Sequence, residues 1–166
     1  MSDEALMQAC AAVVFRDVAR TTSLQLALTP WDDALEGIGA VIHDAAVEPR
    51  HPVWETVGYL RAGDCLALHP PHRHRASEIW ELPSLETQTV TDVAGVTQDV
   101  VVMLLWQRGV DATWPACPKH PGRHPLRASA QPGLWTLDPH QLGAGRDPVS
   151  VWACPRGETA IVIGAL

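Results

Sequence analysis

The chain is short of several things, and each shortage excludes a class of protein. It has one Tyr and one Phe against seven Trp, and 12 basic side chains against 19 acidic ones. A net charge of −7 argues against sequence-independent nucleic-acid binding, which needs a basic face to displace counterions. No apolar run approaches the roughly 18 residues that cross a bilayer, so no membrane span is expected. Residues 1–20 lack a charged-then-apolar leader pattern, and cytoplasmic residence is the expectation. A Gly-x-Ser-x-Gly elbow, a phosphate-binding glycine loop and a dinucleotide fingerprint are all missing. The tryptophans, at 31, 54, 80, 106, 114, 135 and 152, are spread too evenly for a sugar-stacking strip. They are expected as core anchors.

What remains is ample for a fold. At 166 residues and 46% hydrophobic content, with a mean hydropathy near zero, residues 1–166 suit one globular domain with its own core. The four cysteines, at 10, 65, 117 and 154, are widely spaced, and a chain of this length does not need disulfide staples. Cys10 and Cys65 lie in apolar surroundings and read as buried small hydrophobes. The eight histidines carry the formal charge from −7 to +1 when protonated, so solubility should change near pH 6.

Along the chain, Leu6, Cys10, Val13, Val14 and Val18 form a helical stripe over residues 3–19, after Ser2, Asp3 and Glu4. Leu24 to Leu28 alternates like a strand. Thr29-Pro30-Trp31-Asp32-Asp33 has the order of an N-cap, a first-turn proline and first-turn acids, predicting a helix that stops near Gly37-Ile38-Gly39, with its resumption through Val41 to Val47 as the alternative. Beyond Glu48-Pro49-Arg50-His51-Pro52 come short β-type runs: Val53 to Leu60, Cys65 to Leu68, Ser77 to Leu82, Glu86 to Thr91, Gln98 to Trp106, Leu134 to Leu137, Val149 to Ala153 and Thr159 to Ile163. Asp92-Val93-Ala94-Gly95 reads as a turn. Val100 to Trp106 fits a central strand buried on both faces, with a buried helix as the alternative that periodicity does not separate. The expected class is α+β: N-terminal helices within residues 1–50 packed on a mostly antiparallel β-sheet over 51–110, then a proline-rich Cys/His clasp with closing strands over 111–166.

That clasp, Trp114-Pro115-Ala116-Cys117-Pro118-Lys119-His120-Pro121-Gly122-Arg123-His124-Pro125, carries the sharpest chemical signal. Zinc is held tetrahedrally by thiolate and imidazole, so a site needs about four such donors converging. Cys117 and His120 have the two-residue gap of a knuckle, and His120 and His124 the three-residue gap of paired zinc histidines. The prolines keep the segment out of an ordinary helix. Trp152-Ala153-Cys154-Pro155 repeats the Trp/Cys-Pro pattern and supplies a fourth donor, for which His140 is the alternative. Haem on a Cys-Pro thiolate and a Cys117–His120 nucleophile pair are weaker readings of the same residues.

A second histidine group, His69-Pro70-Pro71-His72-Arg73-His74-Arg75-Ala76-Ser77-Glu78, contains His-x-His-x-x-x-Glu. It resembles the first metal motif of the cupin superfamily, small β-barrels that hold iron, manganese, nickel or zinc. The resemblance implies His72, His74 and Glu78 as ligands, with Gly63 near the leading glycine. It covers about ten residues, and Glu81 to Leu85 lacks the glycine that usually follows. Read as a plain turn, the same residues pair Glu78 with Arg73 or Arg75 at the surface.

The leading expectation is a zinc-stabilised accessory, adaptor or assembly protein that works by binding a protein partner, with Cys117, His120, His124 and Cys154 as ligands and no catalytic role. The alternatives are a cupin-like metal-dependent enzyme using His72, His74 and Glu78, and a metal-free β-rich interaction or immunity-type module.

Overall fold

In the computed structural model of the chain, residues 3–33, 37–46, 58–61, 84–131 and 149–166 are described. Helix α1 spans Asp3–Thr21. Its stripe of Leu6, Met7, Cys10, Ala11, Val14 and Val18 is buried, as the 3.6-residue period requires of an amphipathic helix on a core. Cys10 is a buried free thiol, as its apolar neighbours imply.

Strands β1 (Leu26–Asp33) and β2 (Gly37–Asp44) follow, joined antiparallel in a register running from Leu26↔Asp44 to Asp33↔Gly37. This corrects the helix expected to open at Thr29-Pro30 and stop near Gly37-Ile38-Gly39, and β2 likewise replaces its resumption from Val41. The capping order is present, but β1 lies at the edge of its described sheet (order β1-β2-β3), where a strand tolerates a proline such as Pro30. Pairing with β2 along the whole strand outweighs a local capping preference. β3 (Gly58–Arg61) adds antiparallel to β2, overlapping the end of the run read as a strand from Val53 to Leu60 and extending it by Arg61.

The second helix, α2 (Leu85–Gln107), replaces the two strands and turn expected between Glu86 and Trp106. Its composition favours strands, with four threonines and six valines, yet propensity is a weak prior against packing. Thr89, Val93, Thr97, Val100, Val101 and Leu104 recur at helical spacing and are buried. Thr89 and Thr91 donate their hydroxyls to the carbonyls of Leu85 and Thr87 at 2.7 and 2.9 Å, which satisfies them inside a helix. Ser84 caps the start, its Oγ accepting from the Thr87 backbone N–H at 3.2 Å. Gly109 ends it at φ 68°, a left-handed position that glycine occupies without strain.

α2 is long and apolar enough to cross a membrane by length and composition. In the structure, that apolar content packs on α1 and on both sheets. Trp106 departs from the expected core role and is 74% exposed.

The second sheet has the order β4 (Arg127–Gln131), β5 (Val149–Ala153), β6 (Ala160–Val162), all antiparallel. β5 and β6 match the sequence expectation. Its central strand buries Val151 and Trp152. The class is α+β, with helices on antiparallel sheets and a Cys/His cluster in the C-terminal third.

Candidate metal centre

Two segments bring four donors together. The first is the loop between α2 and β4. Leu126 N–H donates to the Pro115 carbonyl at 2.8 Å, and Ala116 bridges Pro125, so the loop closes on itself. Gln98 of α2 pins both ends, donating its side-chain amide to the carbonyls of Trp114 and Leu126 at 3.0 and 2.6 Å. Within the loop, His120 N–H donates to the Cys117 carbonyl and Arg123 N–H to the His120 carbonyl, each at 3.1 Å. These turns set Cys117, His120 and His124 on one side.

The second segment is the β5–β6 turn. Cys154 N–H donates to the Thr159 carbonyl and Gly157 N–H to the Cys154 carbonyl, both at 2.8 Å. Gly157 has φ 74°, the conformation that lets so tight a turn close. Arg156 N–H then points at Cys154 Sγ from 3.4 Å. Burial and, more weakly, the charge of Glu158 push the Cys154 thiol up, but backbone hydrogen bonding at Arg156 and Glu158 and a side-chain one from Cys117 hold it below its ordinary value.

The ligand atoms of Cys117, His120, His124 and Cys154 all lie within 4.8 Å of one another. His120 Nδ1 is 3.5 Å from Cys117 Sγ and 3.7 Å from Cys154 Sγ, and His124 Nε2 is 3.9 Å from Cys154 Sγ. Metal–ligand bonds of 2.0–2.3 Å in a tetrahedron give donor–donor edges of about 3.3–3.8 Å. These three spacings fall in or close to that range and the whole set lies within 4.8 Å, so the cluster could hold one metal ion after a small contraction.

The imidazoles are oriented to match. The outward Nδ1 of His124 lies 3.1 Å from the Pro125 carbonyl, which only accepts. That nitrogen therefore carries the proton, and Nε2 turns a lone pair inward. On His120 the outward atom is Nε2, 3.2 Å from Glu158 Oε1, which leaves Nδ1 as the inward atom. Both cysteines are buried and the histidines half-buried, so the sulfurs face the core and the imidazoles face the surface. Cys117 has no exposure.

Both segments are anchored to α1 through their tryptophans. Trp114 donates its indole N–H to Thr21 Oγ1 at 2.9 Å, and Trp152 donates to Asp17 Oδ2 at 2.8 Å. The two rings meet edge to face, centroids 5.2 Å apart. The repeated Trp/Cys-Pro pattern is thus a pair of fixed arms, each carrying a thiol.

His72, His74, Glu78, Gly63 and the alternative fourth donor His140 lie outside the described residues, as does Cys65. The sequence reading missed Glu158 and Asp17. Asp17 has a signal in hindsight, an acid three residues after Val14 and next to Val18 on the buried stripe. Glu158 has only its place just past a Cys-Pro-x-Gly turn. Comparison with protein-family models, with curated proteins and with solved structures found no match.

Proposed function

We propose that the chain binds one zinc ion through Cys117, His120, His124 and Cys154 and serves as a metal-stabilised accessory protein acting through protein–protein contacts. The observation that carries the reading is the convergence of four donor atoms within 4.8 Å, with each imidazole turning one ring nitrogen inward. Two thiolates and two imidazoles form a donor set that favours zinc over the harder divalent ions. Four protein donors complete a tetrahedron and leave no position for a water or substrate, which is the arrangement of a structural rather than a catalytic ion. The ion would join the α2–β4 loop to the β5–β6 turn, so its effect falls on folding. A negatively charged chain with an exposed Trp106 offers a surface for a protein partner.

The test is elemental analysis of purified protein beside a Cys117→Ser variant, with cobalt(II) substitution to read the coordination. About one zinc per chain, lost in the variant together with thermal stability, and a tetrahedral cobalt spectrum are the expected results. Structural zinc contributes roughly 10–16 kcal/mol apparent, comparable to a whole domain's margin of about 5–15 kcal/mol. Five-coordinate cobalt with a bound water would overturn the structural role. Absence of metal from the wild type would overturn the whole reading.

A further inference from the structure

The carboxylate of Glu158 has a place in this centre that neither spacing nor residue type announces. It lies 3.2 Å from His120 Nε2, on the side of the ring away from the two sulfurs. The residue is held in the turn closed by Cys154 and Thr159. Glu158 therefore links the turn that carries one donor to the imidazole that supplies another. Its main chain belongs to the turn that carries Cys154, and its side chain touches an imidazole of the opposite loop.

We infer that Glu158 is a positioning residue for the metal: it fixes His120 as the Nε2–H tautomer and so commits Nδ1 to coordination. The inference rests on the zinc reading above. A neutral imidazole has one donor and one acceptor nitrogen, and the partner of one decides the role of the other. A carboxylate accepts only, so the Nε2 proton is held toward it and the lone pair is left on Nδ1, facing Cys117 and Cys154. A ring so held is prevented from turning or changing tautomer, and its ligating nitrogen becomes the better donor. Outer carboxylates of this kind typically change metal affinity by about 10–100-fold when removed.

The two histidines differ in a way that makes the claim specific. His124 is oriented by a backbone carbonyl, that of Pro125, which no substitution removes. His120 depends on a side chain that is 51% exposed and is replaceable with little disturbance to the core. Glu158 is therefore the point at which this site's affinity is set by a single exposed residue.

The experiment titrates zinc against a chromophoric chelator for the full chain, for Glu158→Gln and for Glu158→Ala. It is paired with nitrogen-15 spectra of the imidazoles in the zinc-loaded proteins. The expected affinity falls about 10–100-fold in Glu158→Ala and less in Glu158→Gln, whose amide oxygen still accepts the same N–H. The loaded wild type should show His120 bound through Nδ1 with a slowly exchanging Nε2 proton, and the Ala variant should lose that slow exchange. A wild type that binds zinc while both variants match it within about twofold would overturn the role of Glu158 and leave the metal site standing. Coordination of His120 through Nε2 would also overturn it. A wild type that fails to compete for zinc at all would remove the metal site, and this inference with it.

Discussion

Trp152 donates its indole N–H to the Oδ2 atom of Asp17 at 2.8 Å, across 135 residues of sequence. The same carboxylate accepts from Gly164 N–H at 2.7 Å on Oδ2 and from Leu166 N–H at 2.9 Å on Oδ1. Asp17 is fully buried. A buried carboxylate is costly unless its lone pairs are used, and here three donors from β5 and the C-terminal segment use them. The acid on the inner face of α1 is thus the seat of the segment that carries Cys154.

Asp17→Asn keeps the shape and loses the match. One carboxamide oxygen still accepts, but the NH2 group now faces an N–H donor. An unsatisfied buried donor costs about 1–3 kcal/mol, and at this chain length each kcal/mol moves Tm by roughly 2–4 °C. The expected result is a lowered melting temperature with faster amide exchange at Gly164 and Leu166 in particular. Unchanged exchange at those two amides would mean that Asp17 does not hold the segment.

Gly164 sits beside this contact at φ 96°, and a Cβ placed on it would lie 2.7 Å from Val13 Cγ1. Gly164→Ala therefore meets both backbone strain and a clash, for a cost of about 1–3 kcal/mol. Val13→Ala removes the clashing methyl group but not the strain. In a double-mutant cycle the Gly164→Ala cost should fall in the Val13→Ala background without vanishing. An equal cost in both backgrounds would show that Val13 is not what crowds the position.

Cys10 offers a pH signature. Burial, then the charge of Glu86, push its thiol from an ordinary 9.0 up to about 11. Between those values the unfolded chain ionises this thiol and the folded chain does not. Stability from this group is therefore intact below about pH 9 and is lost as pH rises toward 11. Relative to Cys10→Ala, the wild type should lose on the order of 1–3 kcal/mol across that interval and keep a constant margin from pH 6 to 8. A margin that stays flat to pH 11 would contradict the burial of this thiol.

Some of this protein was determined by the sequence alone, because the forces involved act over a few residues. The stripe of Leu6, Cys10, Val14 and Val18 specifies α1 by its period. The gaps between Cys117, His120 and His124 set three donors in one turn-rich loop, and the short apolar run from Val149 to Ala153 marks β5. Other features were decided only by tertiary structure. Val100 to Trp106 reads first as a central strand, with a buried helix as the alternative, and burial of Val93, Thr97, Val100 and Leu104 in a helix that packs on α1 made it part of α2. Pro30 is a helix start by local rule and a strand residue once β2 pairs beside it. Glu158 and Asp17 are ordinary acids in the sequence. Each takes its role from a partner more than thirty positions away, His120 for one and Trp152 for the other, and such pairings exist only after the chain has closed on itself.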